Sequence, residues 1–261
     1  MKNYILKIVI LTLILGNNFK GNSSIIRHPH SIKPNTTVIT GLNYAFIDAG
    51  GAWGWGSWGS IGGPMGTALG IVVGACATSG WAFVYNNQTP SKIKSPTNTE
   101  VTNFSNEFER VGFLHNKFLV SFINSHQQTF SNEEDFVNAI YIPLCTFVSL
   151  EYNIGIEEIK TSFKKTDLIN LCKSYTSAND ISDYAQIVFS NGESVNLRNE
   201  YVRIANQLSI EHLNGINFSA NYLNNEINNY ATNNVLNEHE KLVSIYSCNI
   251  LKYSLFLWSS N

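Results

Sequence analysis

The chain has 261 residues, which gives room for one ordinary domain plus an appendage. Its formal net charge is −2 and only 14% of its residues are charged, so it lacks the basic surface that nucleic-acid binding requires. Composition therefore argues against a nucleic-acid partner.

The N-terminal 48 residues form two segments of different character. Residues 1–21 begin with two lysines and an apolar run over residues 8–15, the basic start and short apolar core of a secretory signal peptide. We therefore predict export, to the periplasm, the envelope membrane or the extracellular space. Residues 22–48 are mostly polar and contain two prolines, which predicts an extended leader with a short strand around residues 37–40.

The next stretch, residues 49–85, is rich in glycine and contains no charged residue. Its second half places a small residue at every fourth position, which in a helix forms one strip without side chains. Such a strip allows another helix to approach closely, as in the small-xxx-small packing of membrane helices. The strip consists of Gly62, Gly66, Gly70 and Gly74, and Thr78 continues it.

The same stretch has the length and the flanking residues of a membrane element. A helix from Pro64 to Tyr85 would be about 33 Å long at roughly 1.5 Å per residue, close to the roughly 30 Å of hydrocarbon in a bilayer. Before it, Trp53, Trp55 and Trp58 alternate with small residues, as indoles at a lipid–water boundary do. We predict a glycine-zipper hairpin that contacts lipid or a second copy of the chain. Two alternatives stay open: a hairpin packed on the chain's own helical domain, and a flexible spacer.

Residues 86–103 predict a linker, because prolines, lysines and many Ser, Thr and Asn residues occur there without apolar periodicity. Residues 104–261 then show helical periodicity throughout, which predicts an all-α domain of about six to seven helices. Ser131 and Glu134 predict a capping box for the second helix of this domain. Pro143 is expected to bend or divide that helix, and a single third helix is expected to open at Gly155.

Few residues in the chain suggest catalysis. His115 and Asn116 are adjacent within a predicted helix, where His115 could be a base or a ligand, but a histidine packed in the core is the favoured interpretation. The sequence around His239 lacks a second histidine four residues later, so it is not a zinc-protease helix. No phosphate-binding loop, dinucleotide fingerprint or nucleophile elbow is present. The sequence predicts a protein that is not an enzyme, with no cofactor and no metal.

The four cysteines are not spaced as metal ligands, and each lies in an apolar context typical of a small buried side chain. A disulfide among Cys145, Cys172 and Cys248 stays possible in an oxidising compartment.

Two resemblances bear on this layout. The segment Asn106–Asn116 is similar to the pattern N-x-x-x-x-G-x-x-H-N, with five residues instead of four between Asn106 and Gly112, and it includes Gly112, His115 and Asn116. With the signal peptide, the glycine-zipper segment and the linker, it resembles a group of exported Bacteroidota proteins, a resemblance that implies no activity. The Gly-rich stretch also resembles class II bacteriocins, in which a peptide beginning at Ala52 would follow the double glycine Gly50-Gly51. Against the bacteriocin interpretation, the leader would be unusually long and a helical domain follows.

These observations predict an exported, non-enzymatic protein whose glycine-zipper segment associates with membrane lipid or self-assembles into a homo-oligomer. One alternative is a secreted, soluble helical binding module with the hairpin packed on it. Another is a bacteriocin-like peptide precursor. The protein partner of the helical domain is not indicated by any motif.

Overall fold

The computed structural model describes residues 41–58, 63–87, 92–189 and 194–261. These residues form ten α-helices, one short 3-10 helix and no β-strand, which confirms the all-α fold class. The helices are α1 (Gly41–Trp58), α2 (Gly63–Asn86), α3 (Glu107–Ser125), α4 (Glu133–Tyr152), α5 (Ile156–Ser162), α6 (Lys165–Ser177), α7 (Ile181–Val188), α8 (Val195–Glu211), α9 (Ile216–Tyr230) and α10 (Glu238–Ser259). The 3-10 helix is His212–Asn214.

Three helices form the centre of the fold. Helix α2 is buried from Thr67 to Phe83, α10 is buried almost continuously from Val243 to Trp258, and α1 packs against both. Helices that are apolar on all sides need partners on all sides, and α3 to α9 supply the outer layer. The Gly-rich hairpin α1–α2 and the C-terminal helices thus share one hydrophobic core.

Helix α1 begins earlier than the Gly-rich stretch. Residues 41–48, which we expected to belong to the polar leader, are helical, and Ala45, Phe46 and Ile47 have no exposed surface. Their apolar side chains continue the hydrophobic face of the hairpin, which explains why the helix includes them. The predicted signal peptide, the remainder of the leader and the strand expected around residues 37–40 lie outside the described residues.

The described part of the predicted linker is irregular, but it packs on the helices. Ile93 is 2% exposed, and its backbone N–H and C=O bind the carboxamide of Asn124 at 2.9 and 2.8 Å. Lys94 similarly exchanges two hydrogen bonds with the C-terminal Asn261, at 2.6 and 3.1 Å. This connection therefore ties the end of the hairpin to α3 and to the C-terminus.

Pro143 lies inside α4 and does not divide it; division was one of the two outcomes expected of this residue, and a bend was the other. Two local predictions differ from the structure. The N-cap of α4 is Asn132, whose Oδ1 accepts from the Asp135 N–H at 2.9 Å, and not Ser131 with Glu134. The single helix expected from Gly155 is two helices, α5 and α6, because Phe163 leaves helical geometry (φ −121°, ψ 88°) and its ring is buried against Trp55. As a result, eight α-helices follow the linker among the described residues, where about six to seven were predicted.

Candidate functional site

The glycine strip of α2 packs on α1 of the same chain. A Cβ at Gly70 would lie 2.6 Å from the Trp55 carbonyl oxygen, and a Cβ at Gly74 would overlap the Gly51 carbonyl oxygen. One turn further, the Thr78 hydroxyl lies 3.4 Å from the Ile47 carbonyl oxygen. The pairs Gly70–Trp55, Gly74–Gly51 and Thr78–Ile47 advance by four residues on both helices in opposite directions. The hairpin is therefore an antiparallel crossing in which backbone contacts backbone.

The structure describes this contact for only part of the predicted strip. Gly62 falls outside the described residues, and Gly66 is half-buried in the second turn of α2. Of the four glycines predicted to form the packing face, Gly70 and Gly74 are thus the ones that the structure places at the α1–α2 crossing.

A second glycine face on α1 contacts α7. A Cβ at Gly50 would overlap the Tyr184 ring, and one at Gly54 would overlap a Val188 methyl group. The two pairs advance by four residues in the same direction, so α1 and α7 run parallel there. Neither Gly50 nor Gly54 belongs to the strip predicted from the sequence. Their contact was not predicted because the partner helix, α7, is more than a hundred residues away in the chain. The Gly-rich composition of α1 thus allows close approach by helices on two sides.

The tryptophans of α1 lie inside the protein. Trp53 has no exposed surface, and its Nε1–H donates to the Ser244 hydroxyl of α10 at 3.4 Å. Trp55 is 5% exposed, and its ring stacks on Phe163 with centroids 5.7 Å apart. The side chain of Trp58 lies outside the described part of the chain. In this conformation Trp53 and Trp55 fill the core.

The predicted motif residues Gly112, His115 and Asn116 meet at the crossing of α3 with α10. A Cβ at Gly112 would lie 2.6 Å from the Tyr253 ring and 2.7 Å from the Asn249 carbonyl oxygen. Asn116 Nδ2 donates to the Tyr253 carbonyl oxygen at 2.9 Å, and Asn116 Oδ1 lies 3.0 Å from His115 Nδ1. Upstream, Asn106 caps α3 by accepting from two backbone N–H groups. Each motif residue therefore has a packing or hydrogen-bonding role in this crossing.

The imidazole of His115 faces Asp48, a residue that was not predicted to be part of a site. His115 Nε2 lies 3.6 Å from Asp48 Oδ2, and neither side chain has exposed surface. The same Oδ2 accepts from the Ser254 hydroxyl and, at 2.8 Å, from Trp258 Nε1–H, both on α10. Asp48, His115, Asn116, Ser254 and Trp258 form what we call the polar cluster. In the sequence, Asp48 stands out only as an acidic residue directly before a long uncharged stretch.

Burial disfavours charge on both titratable members of the cluster. Burial raises the pKa of Asp48 to about 7, although the hydrogen bonds from Ser254, Ser79 and Trp258 oppose the rise. Burial lowers the pKa of His115 to about 4, against an opposing hydrogen bond with Asn116. Between about pH 4 and 7 the favoured arrangement is a protonated Asp48 beside a neutral His115. A carboxyl group and an imidazole can exchange a proton, but full burial keeps a substrate from reaching them in this conformation.

A solvent-accessible pocket lies between α3, α9 and α10, and no residue of the polar cluster lines it. Its volume is about 440 Å³, and its walls include Phe108, Glu109, Asn249 and Lys252. Lys252 is 5% exposed, and its Nζ donates to Glu109 Oε1 at 3.1 Å and to Asn224 Oδ1 at 3.2 Å. This pocket was not predicted, since its residues come from three separate segments.

The described residues contain no group of three or more His, Cys, Asp or Glu side chains that could hold a metal ion. All four cysteines are buried with free thiols. Burial raises the pKa of Cys145 to about 11 and raises that of the other three thiols as well, which disfavours the reactive thiolate form.

Comparisons with known proteins add no further constraint on function. No protein-family model, no curated protein and no solved structure matches the chain. The resemblances to exported Bacteroidota proteins and to bacteriocins therefore stay predictions.

Proposed function

We propose that the protein is an exported, non-enzymatic helical binding module whose Gly-rich hairpin forms part of its own core. This corresponds to the second of the functions that the sequence predicts. The export component depends on the signal-like segment at residues 1–21.

The observation that carries the proposal is the matched α1–α2 crossing. Gly70 and Gly74 contact the backbone of α1 so closely that a second copy of the chain cannot use the same strip without separating the hairpin. The second face, at Gly50 and Gly54, is occupied by α7 in the same way. These contacts support a role for the glycines within one chain.

The burial of the hairpin supports the same proposal. Of the residues in the most apolar 18-residue window of α2, 94% are buried inside the protein. At roughly 25 cal/mol per Å² of apolar surface, exposing such a helix to water would be strongly unfavourable, so the hairpin should stay inside unless another apolar phase replaces the core.

The test is the solution behaviour of the full chain. We expect it to purify from a Gram-negative host without detergent and to sediment with the mass of one chain. Recovery only in detergent extracts of the membrane, or sedimentation as a stable oligomer, would overturn the proposal.

A second candidate function, membrane association through the hairpin, is favoured by one observation. Helix α2 has 24 residues without a charge, and among the described residues it is long and apolar enough to cross a bilayer. A core helix of a soluble protein has the same properties. Insertion would require α1 and α2 to leave α3, α7 and α10. Alkaline carbonate extraction of membranes distinguishes the two functions, since an inserted hairpin stays in the pellet and a soluble module is released.

A further inference from the structure

We propose that the pocket between α3, α9 and α10 binds a small uncharged saccharide. The inference rests on the proposed function, because a binding module needs a ligand site. It adds the location of that site and the chemical class of its ligand.

The size and the walls of the pocket suit a ligand of one sugar ring. Its volume of about 440 Å³ lies within the range of small-molecule sites, roughly 300–1,000 Å³. Phe108 is 40% exposed at one wall, and with Ile227 it offers an apolar surface for the C–H face of a pyranose. The other walls are polar.

The charges of the pocket disfavour an anionic ligand. Two carboxylates, Glu100 and Glu109, and one ammonium group, Lys252, line it. Two negative charges and one positive charge leave a net charge of −1. Lys252 already pairs with Glu109 at 3.1 Å, so it does not offer an uncompensated cation to a phosphate or a carboxylate. A small organic cation would in turn lie beside the ammonium group of Lys252.

The polar walls are dominated by carboxamides, which suit hydroxyl groups. Asn224, Asn228 and Asn249 line the pocket. A carboxamide has two donor hydrogens and an acceptor oxygen, and a sugar hydroxyl both donates and accepts. Neutral partners of this kind form hydrogen bonds without the desolvation cost of a full charge.

Asn249 supplies the sharpest indication of a missing partner. The residue is 1% exposed, and its Nδ2 donates to the Ile245 carbonyl oxygen at 3.0 Å. Its Oδ1 is buried and has no hydrogen-bond partner among the described residues. A buried acceptor without a donor is costly, and because Asn249 lines the pocket, a small rotation of its side chain would let a ligand hydroxyl donate to Oδ1 and remove that cost.

The experiment is saturation-transfer difference NMR on the full chain, followed by calorimetric titration of any sugar that binds. The probes are methyl α-D-glucopyranoside, D-galactose and N-acetyl-D-glucosamine, with glucose 6-phosphate as the anionic comparison and choline as the cationic one. We expect at least one neutral sugar to bind at millimolar concentration, and to bind more tightly than either charged probe. Binding of none of the neutral sugars, or tighter binding of a charged probe, would overturn the inference.

Two variants locate the site. We expect Asn249→Ala to weaken binding of the sugar about tenfold and Asn228→Ala to weaken it about fivefold, because each removes a hydrogen-bonding group. Asn225→Ala is the matched control: Asn225 is exposed on the same helix as Asn228 but does not line the pocket. If Asn249→Ala fails to fold, sugar binding by Asn228→Ala still tests the site, because Asn228 is exposed. Unchanged binding in Asn228→Ala, or equal losses in Asn225→Ala and Asn228→Ala, would contradict the assignment.

The failure of this inference can be told apart from failure of the proposed function. A soluble, monomeric chain that binds no neutral sugar contradicts the saccharide site and leaves the helical module standing. A chain that is recovered only with membrane contradicts the proposed function itself.

Discussion

His115 Nε2 lies 3.6 Å from Asp48 Oδ2 in the interior of the protein, and the burial of both groups shifts their pKa values in opposite directions. In the folded chain the pKa of Asp48 is about 7 and that of His115 about 4. The ordinary values of 3.8 and 6.5 apply in the unfolded chain. Between about pH 4 and 6.5 the pair binds one proton in either state, on Asp48 when folded and on His115 when unfolded. Its contributions to pH dependence therefore nearly cancel.

Single substitutions should expose the two opposing contributions. In Asp48→Asn the lowered pKa of His115 remains, so the free energy of unfolding should fall as pH decreases from 6.5 to about 4. In His115→Gln the raised pKa of Asp48 remains, so the free energy of unfolding should fall as pH increases from about 4 to 7. Each slope can reach about 1.4 kcal/mol per pH unit for one proton. The free energy of unfolding is measured by urea denaturation at each pH, for each variant and for wild type. Subtracting the wild-type value at the same pH removes the contribution of other titratable groups. Slopes of the same sign in both variants would contradict the arrangement.

Enlarging Gly74 should destabilise the hairpin. A Cβ there would overlap the Gly51 carbonyl oxygen and lie 2.7 Å from the Trp55 Cβ, neither of which is the end of a flexible side chain. We expect Gly74→Ala to lower the free energy of unfolding by about 1–3 kcal/mol, despite the better helix propensity of alanine. Gly155→Ala, where a Cβ meets nothing within 4 Å, should change it by less than about 0.5 kcal/mol. Chemical denaturation measures both, and equal stabilities would show that the crossing is looser than described.

Gly112 should be equally intolerant of a side chain. The Tyr253 ring and the Asn249 carbonyl oxygen lie 2.6 and 2.7 Å from its would-be Cβ, and the Tyr253 hydroxyl is held by a 2.7 Å hydrogen bond to Asn103. We expect Gly112→Ala to lower the melting temperature measured by circular dichroism, because α3 must move away from α10. Ser121→Ala, at an exposed position of α3, provides the comparison and should melt close to wild type. If Gly112→Ala has the same melting temperature as wild type, the close crossing of α3 and α10 is contradicted.

Asn116 should contribute to stability through hydrogen bonds. Its side chain joins α3 to the Tyr253 carbonyl oxygen and contacts His115 Nδ1. Asn116→Ala removes the bond across the helix crossing and leaves the buried His115 Nδ1 without its partner, so we expect a loss of about 1–3 kcal/mol in the free energy of unfolding. The exposed Asn170 on α6 is the matched site, where the same substitution should have little effect. The two variants are compared by urea denaturation, and losses of equal size would contradict the role of Asn116.

The helices could be predicted from the sequence because their signals are local. Apolar periodicity predicts helices from residue 104 onward, and the structure has the first N-cap of this region at Asn106. The split at Phe163 has no such local signal, since it depends on a contact between that ring and Trp55. The early start of α1 was missed because the short apolar run before Asp48 adjoins a polar segment.

The partners of these helices could not be predicted. The four-residue spacing of Gly70 and Gly74 indicates close helix packing, but the same spacing suits a membrane dimer, an oligomer or an intrachain hairpin. Nothing in the local sequence relates Asp48 to His115, or Lys252 to Glu109, because each pair is joined only by the folding of distant segments. For that reason the polar cluster and the pocket could be identified only from the structure.

The most direct test of the account is vesicle flotation of the purified full chain, since the central claim is that the hairpin belongs to the protein's own core. We predict that the protein stays in the dense fraction when it is mixed with phospholipid vesicles and centrifuged through a density gradient. If it floats with the vesicles and resists release by alkaline carbonate, the hairpin has left its place against α3, α7 and α10, and the soluble binding module is contradicted.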